Sequence, residues 1–324
     1  MSCELIMTVE EMQDRKAWLE LRRQGLGGSE AAVVVGLSKW KSPWELWLEK
    51  TGQVEDEEED KSEEVKERLY WGTKQEDLIA NWFTEKTGMK LRRCGVLRSK
   101  EYPFMLASID RQVIGRNEIV EIKTTSAYNM AEWEDDKVPP QYMCQGLHYL
   151  SVSGADRCHF VCLVGGNTPI IRTMERDDYE IEALIEAEKY FWEHYVVAKE
   201  LPPTDGSASC SEAVAKHFST DDAEEAAELT GDMDIICRDL AILKEDRKRL
   251  DLLIAEKENK LKVAMGNHAF GRSPLYNLWY KVTARNSFDA KAFEKAYPEI
   301  YKQFQKQSTF RTLRVRESKA RMEK

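Results

Sequence analysis

The spacing of apolar residues changes period sharply after Gly88, and that change limits the folds open to this chain. Residues 65–87 repeat at helical spacing and end on Gly88. The runs that follow, 89–97, 104–109, 112–114 and 118–123, are short and carry β spacing, with Gly115-Arg116-Asn117 supplying turn chemistry between the last two. Pro139-Pro140 opens a helix over about 141–150 that stops near Gly154, and strands at 157–164 and 170–174 precede a helix over 178–199. Helices, a group of strands, a helix, strands and a helix predict an α/β (α+β) fold: a mixed sheet flanked by helices.

Start and stop signals place the other elements. Thr8 to Glu11 forms a capping box that predicts a helix carrying Met12, Trp18, Leu19 and Leu21 and ending near Gly25. That helix delivers Arg22 and Arg23 to the turn Gly25-Leu26-Gly27-Gly28. Ser29 then reads as the cap of a short helix closed by Gly36, and Ser42-Pro43-Trp44-Glu45 starts another that Gly52 closes. A first domain is expected over 1–203, and the Ser/Thr/Asp-rich stretch 204–222 reads as a linker. Over 223–266, Leu229, Met233, Ile236, Leu240, Leu243, Arg247, Leu250, Ile254, Lys257 and Leu261 alternate intervals of four and three, a coiled-coil seam with two charged steps. It fits either an oligomer contact or a helix packed on its own domain. The last segment, 267–324, predicts a strand pair (276–284 its clearer half), a helix over 288–297 and the basic tail Phe310-Arg311-Thr312-Leu313-Arg314-Val315-Arg316.

Charge is segregated along the chain. The formal net charge is −10, which taken whole argues against a nucleic-acid partner. Residues 244–324, however, carry 20 Lys and Arg against 10 Asp and Glu, hence +10, and the first 243 residues carry −20. The run Glu55 to Asp60 holds much of the acidity and reads as a solvated loop. Seven cysteines without CxxC spacing exclude a zinc or iron–sulfur signature and fit reduced thiols. The opening residues turn acidic before any apolar run of signal-peptide length, and no apolar stretch has membrane length, so a cytoplasmic location and no membrane partner are expected. Gly25 to Gly28 lacks the Gly-Lys-Ser/Thr ending of a phosphate-binding loop, which argues against nucleotide hydrolysis.

The chemistry-bearing constellation is Ser108-Ile109-Asp110-Arg111, a turn, and Val120-Glu121-Ile122-Lys123. Alternation puts Glu121 and Lys123 on one face of a strand, and a hairpin brings Asp110 alongside them. Two carboxylates held close are costly unless a cation lies between them, and an oxygen-rich site of this kind suits Mg²⁺ or Mn²⁺. A lysine beside the metal can orient or deprotonate a water, or stabilise a pentavalent phosphate. The same pattern also arises by chance in surface hairpins, but Ile109, Val120 and Ile122 give these strands a buried face.

These residues resemble the PD-(D/E)xK nuclease superfamily. Gln145-Gly146-Leu147-His148-Tyr149 is similar to the QxxxY helix of its RecB-like branch, and Trp71-Gly72-Thr73-Lys74-Gln75-Glu76 to the acidic helix that precedes the hairpin. Leu21 to Ala32, which contains Gly27-Gly28-Ser29-Glu30, resembles the opening motif of the YqaJ-type viral recombinase group, to which phage lambda exonuclease is related. The resemblance spans about residues 15–200. It implies that Asp110, Glu121 and the carbonyl of Ile122 ligate one or two metal ions, that Glu76 reaches them directly or through water, and that Lys123 positions the attacking water. Gln145 would stand near that water or the scissile phosphate, supported by Tyr149.

Ser29 with Arg22 or Arg23, at a Gly-rich helix start, has the parts of a phosphate pocket, and the resemblance implies that it holds a 5′-terminal phosphate. The spacing from Ser29 favours Arg22. The implied activity is Mg²⁺-dependent 5′-to-3′ exonuclease digestion of linear double-stranded DNA, leaving 3′ overhangs for a strand-annealing recombinase. The implied assembly is a trimeric ring. A RecB-like endonuclease or defence nuclease, and a non-catalytic DNA-end-binding module, are the alternatives.

Overall fold

The computed structural model describes residues 3–54, 62–220, 226–306 and 310–316; the acidic run Glu55 to Asp60 lies outside them. The chain divides into two compact units, Met1–Phe218 and Ser219–Lys324.

In the first unit, β1 (Cys3–Met7), β4 (Val96–Ser99), β5 (Met105–Ser108) and β2 (Leu26–Gly27) form one sheet in the order β1-β4-β5-β2. A second sheet has the order β3-β6-β7-β8-β9, from β3 (Leu91–Arg92), β6 (Arg111–Val113), β7 (Glu118–Thr125), β8 (Arg157–Val164) and β9 (Thr168–Glu175). Both are mixed: β2 runs parallel to β5 and β7 parallel to β8, and the other pairs are antiparallel. The helices are α1 (Arg15–Arg23), α2 (Gly28–Val34), α3 (Pro43–Lys50), α4 (Glu63–Thr87), α5 (Pro140–Ser153), α6 (Asp178–Tyr190) and α7 (Ala208–His217).

Strand β7 explains how the site is built. Val120 and Ile122 point to one face, where they pack with Phe83 of α4 and Val161 of β8. Ile119 points to the other, in the core shared with Leu147 and Leu150 of α5 and Phe160 of β8. Glu121 and Lys123 follow Ile119 by period 2, so a carboxylate and an ammonium are carried onto the α5 face of a strand buried on both sides. The last registered pair of β6 and β7 is Arg111 with Val120. Asp110 is one step further on, where the chain leaves β5 in one sheet for β6 in the other.

Several expectations are corrected. The Thr8 and Glu11 side chains do exchange hydrogen bonds with each other's backbone N–H, but that box opens only a 3₁₀ turn, Glu11–Gln13. Asp14 caps the α-helix instead, accepting from the N–H groups of Lys16 and Ala17 at 3.1 Å each. Helix α2 begins at Gly28 with Gly27 as its cap, so Ser29 is inside the helix rather than at its start. The single strand expected at 89–97 is two, β3 and β4, which belong to different sheets. The helix expected over 178–199 changes to π turns at Phe191–Val197.

The stretch 204–222 contains α7, whose Cys210 and Ala213 are buried against Trp44 and Trp47 of α3. Ser209 Oγ accepts from the Ser42 N–H at 2.8 Å, so the first compact unit reaches Phe218 rather than residue 203.

The second unit holds α8 (Gly231–Met265), the hairpin β10 (Phe270–Arg272) with β11 (Asn277–Trp279), α9 (Ala290–Ala296) and α10 (Pro298–Gln303). The strand expected over 276–284 is only its first part, and residues 310–316 carry no helix or strand. No described helix is long and apolar enough to cross a membrane.

Candidate active site

Asp110, Glu121, Lys123, Gln145 and Tyr149 line one cavity of about 640 Å³. Glu121 is 3% exposed. Its Oε1 accepts from Lys123 Nζ at 2.6 Å and from Gln145 Nε2 at 2.7 Å. Gln145 Nε2 also lies 3.1 Å from the Tyr149 hydroxyl, so the helix α5 pair supports the carboxylate as a chain. Glu121 Oε2 is buried with no hydrogen-bond partner. Asp110 Oδ2 accepts from the Ile122 N–H at 2.7 Å, which fixes the corner residue to the strand that carries Glu121.

Burial, then the charge of Glu121, pushes the Asp110 carboxyl well above its usual range. Burial also raises Glu121, against the opposing pull of Lys123. Burial works against the Lys123 ammonium, but Glu121 and Asp110 outweigh it and hold that pKa up. The site is two crowded carboxylates and one cation, short of positive charge.

That deficit and the orphaned Glu121 Oε2 are what a bound cation would relieve. Among the described residues no set of three or more His, Cys, Asp or Glu side chains has metal-holding geometry. A two-carboxylate set still fits Mg²⁺, which keeps several waters and takes further oxygens from a phosphate. Glu76 also lines the cavity, but its carboxylate is hydrogen-bonded to Arg111 Nη1. Arg111, buried at 4% exposure, also donates to Asp77 Oδ1 at 2.7 Å.

The glycine-rich turn forms another wall of the same cavity, which Arg22, Gly28 and Ser29 line. Arg22 Nη2 donates to Ser29 Oγ at 3.3 Å and to Glu30 Oε1 at 2.9 Å, and its guanidinium lies 4.9 Å from the Trp18 ring centre. Arg23 is exposed and is not among the residues lining this cavity. Gly28 is required by close approach: a Cβ there would stand 2.4 Å from the Tyr149 ring. The phosphate-type turn therefore rests directly on the residue that supports Gln145.

Glu30 and Lys50 carry a structural role that the spacing did not disclose. Lys50 Nζ lies 2.8 Å from Glu30 Oε2, with side chains 3% and 6% exposed, and it donates to the carbonyls of Arg22 and Gly25 at 2.7 Å each. Glu30 Oε2 accepts from the Gly27 N–H at 2.8 Å. Burial opposes the charge of Glu30, but Lys50 and Arg22 prevail and hold its pKa near 2. An acid directly before the apolar run Ala31 to Val35 was the available signal for Glu30; nothing local marks Lys50.

His148 is structural, as its place in the helix suggests. Its Nδ1 is 2.8 Å from Glu188 Oε1 and its Nε2 is 2.9 Å from the Leu106 carbonyl. Burial opposes the charged ring, but Glu188 outweighs it and raises the His148 pKa.

A mixed α/β fold holding paired carboxylates, a lysine and a Gly-rich phosphate-type turn in one cavity is the class that these features define. Residues 17–156 match the model of the YqaJ-like viral recombinase domain. The chain is 37% identical to the protein YqaJ of Bacillus subtilis (strain 168) over 315 residues, 96% of this chain and 97% of that one. The chain belongs to this YqaJ family. Among solved structures it is similar to an alkaline exonuclease from Laribacter hongkongensis, with a TM-score of 0.46 and 18% identity, covering 57% of this chain and 93% of that one. A phage-related exonuclease from Haemophilus somnus 129PT gives a TM-score of 0.40 and 11% identity, covering 56% of this chain and 100% of that one.

Proposed function

We propose that the chain is a divalent-metal-dependent deoxyribonuclease of viral-type recombination, a 5′-to-3′ exonuclease on linear double-stranded DNA. It leaves 3′ overhangs for a strand-annealing recombinase. The observation that carries the reading is the buried, unpartnered Glu121 Oε2 beside Asp110, in the same cavity as Arg22 and Ser29.

Asp110 and Glu121, with the carbonyl of Ile122, would hold Mg²⁺ or Mn²⁺, and Glu76, which lines the same cavity while paired with Arg111, would reach it through water. When bound, the ion lowers the pKa of a water and screens phosphate charge. Lys123 orients the attacking water and neutralises charge on the phosphate. Gln145 fixes Glu121 Oε1 and leaves Oε2 without a hydrogen bond, and Tyr149 fixes Gln145. Arg22 and Ser29 receive the 5′-terminal phosphate, which makes digestion depend on a phosphorylated end. The protein acts in the cytoplasm, and assembly into a trimeric ring around DNA suits processive digestion.

The test is digestion of linear duplex bearing 5′-phosphate or 5′-hydroxyl ends, and of closed circles, with Mg²⁺ or EDTA. Wild type is expected to degrade only linear DNA with metal present. Lys123→Ala and Glu121→Gln are expected to lose about 10²-fold or more in rate, and Arg22→Ala, unlike Arg23→Ala, to lose the phosphate preference. Equal rates in EDTA or in Lys123→Ala refute the site, and cleavage of closed circles makes the protein an endonuclease.

A further inference from the structure

Helix α8 is 35 residues long, about 52 Å at the α-helical rise. Met233, Ile236, Leu240, Leu243, Leu250, Ile254 and Leu261 form one stripe on it, interrupted by Arg247 and Lys257. Ile236, Leu243, Leu250, Ile254 and Leu261 are each more than half exposed. An apolar stripe of period 3.5 matches another helix of the same period, and the charges beside it decide which helix and in what direction.

A parallel pairing with a second copy is opposed at three places: Arg247 meets Arg247 and Lys257 meets Lys257 within core layers, and Asp246 faces Asp251 at the flank. An antiparallel pairing removes all three. With Leu243 against the partner's Ile254, Arg247 faces the partner's Leu250 and Lys257 the partner's Leu240. Lys244 then lies beside the partner's Asp251, and Asp239 beside the partner's Lys260, each contact occurring twice by symmetry. Sliding one heptad one way sets Lys244 on Lys244 and Asp246 on Asp246. Sliding the other way sets Arg247 on Lys257 and Asp251 on Asp251. Arg247 Nε already lies 3.9 Å from Asp251 in its own helix, which draws that charge out of the seam.

We propose that α8 pairs with α8 of a second copy of this chain as an antiparallel two-stranded coiled coil in the Leu243-to-Ile254 register. The register places Cys237 beside the partner's Glu258, whereas 21 residues of one helix separate the two positions by about 31 Å within a chain.

The test uses the full chain. Light scattering is expected to give wild type twice the mass of Leu243→Glu/Ile254→Glu. This ratio holds whether or not the other unit self-associates. Lys244→Asp is expected to raise the concentration of half-dissociation several-fold, and Lys244→Asp/Asp251→Lys to restore it. A short bismaleimide is expected to link Glu258→Cys into covalent dimers, and not Cys237→Ser/Glu258→Cys. Equal masses for wild type and Leu243→Glu/Ile254→Glu overturn the pairing, as a stripe kept for a different helical protein would give. An undiminished mass with no Glu258→Cys crosslink and no charge-swap rescue overturns the direction and register.

Discussion

Glu30 shows how one buried side chain can hold the glycine-rich turn in place. Its carboxylate joins Arg22, Lys50 and the Gly27 N–H, so it sets the guanidinium that lines the cavity and opposes the burial that lowers the Lys50 pKa. Glu30→Gln removes the carboxylate partner of Arg22 and of Lys50, the latter 3% exposed. Breaking a buried pair in this way costs about 3–5 kcal/mol at neutral pH. The native pKa near 2 lies below the ordinary 4.5. The stability Glu30 contributes is therefore fully present above about pH 4.5 and is lost as pH falls toward about 2. Urea unfolding of wild type and Glu30→Gln is expected to show a gap that is full at neutral pH and narrows on acidification. A gap that is constant with pH refutes the assigned charge state.

At the scale of elements, the contact between α2 and α5 joins the two halves of the cavity. Gly28→Ala drives a methyl group to 2.4 Å from the Tyr149 ring, an overpacking worth about 1–3 kcal/mol. It also displaces the hydroxyl that lies 3.1 Å from Gln145 Nε2. The expected result is a lowered thermal midpoint together with a lowered digestion rate, and a rate that stays at wild type while the midpoint falls separates the turn from the carboxylates.

Much of this arrangement was legible in the chain. Period 2 put Glu121 and Lys123 on one face, and caps gave α3, α4 and α5 nearly to the residue. What stayed hidden is non-local. Cys3–Met7 carries no clean alternation and becomes a strand because β4 offers it a partner. The break at Cys94-Gly95 is invisible to spacing because it is a change of sheet; there Gly95 passes so close to the Met7 carbonyl that a Cβ would stand 2.0 Å from it. Glu76 lines the cavity with Asp110 and Glu121, but its ion pair with Arg111, a neighbour only in space, leaves no local mark in the sequence. A Ser-rich composition read as linker hid α7, whose small residues are what allow it to approach α3.

At the scale of the whole molecule, the net charge of −10 hides a division of labour between an acidic unit with the carboxylate site and a basic end. An acidic surface repels DNA, and a metal held by the two carboxylates would offset that only locally. Affinity therefore has to come from cations placed elsewhere on the chain. Residues 310–316 alternate Arg311, Arg314 and Arg316 with Phe310, Leu313 and Val315, all exposed and outside any helix or strand. Such a segment can follow a phosphate backbone without reading sequence. Arg311→Ala/Arg314→Ala/Arg316→Ala is expected to weaken duplex binding and to flatten the slope of log affinity against log salt by up to about 2.7, since each phosphate contact contributes about 0.9. The cleavage rate of DNA already bound is expected to stay at the wild-type value, because Asp110, Glu121 and Lys123 are untouched. Fluorescence anisotropy across a salt series measures the first and single-turnover digestion the second. An unchanged slope would assign the attraction to other cations, and a fall in the single-turnover rate would mean that the basic end also takes part in placing the scissile phosphate.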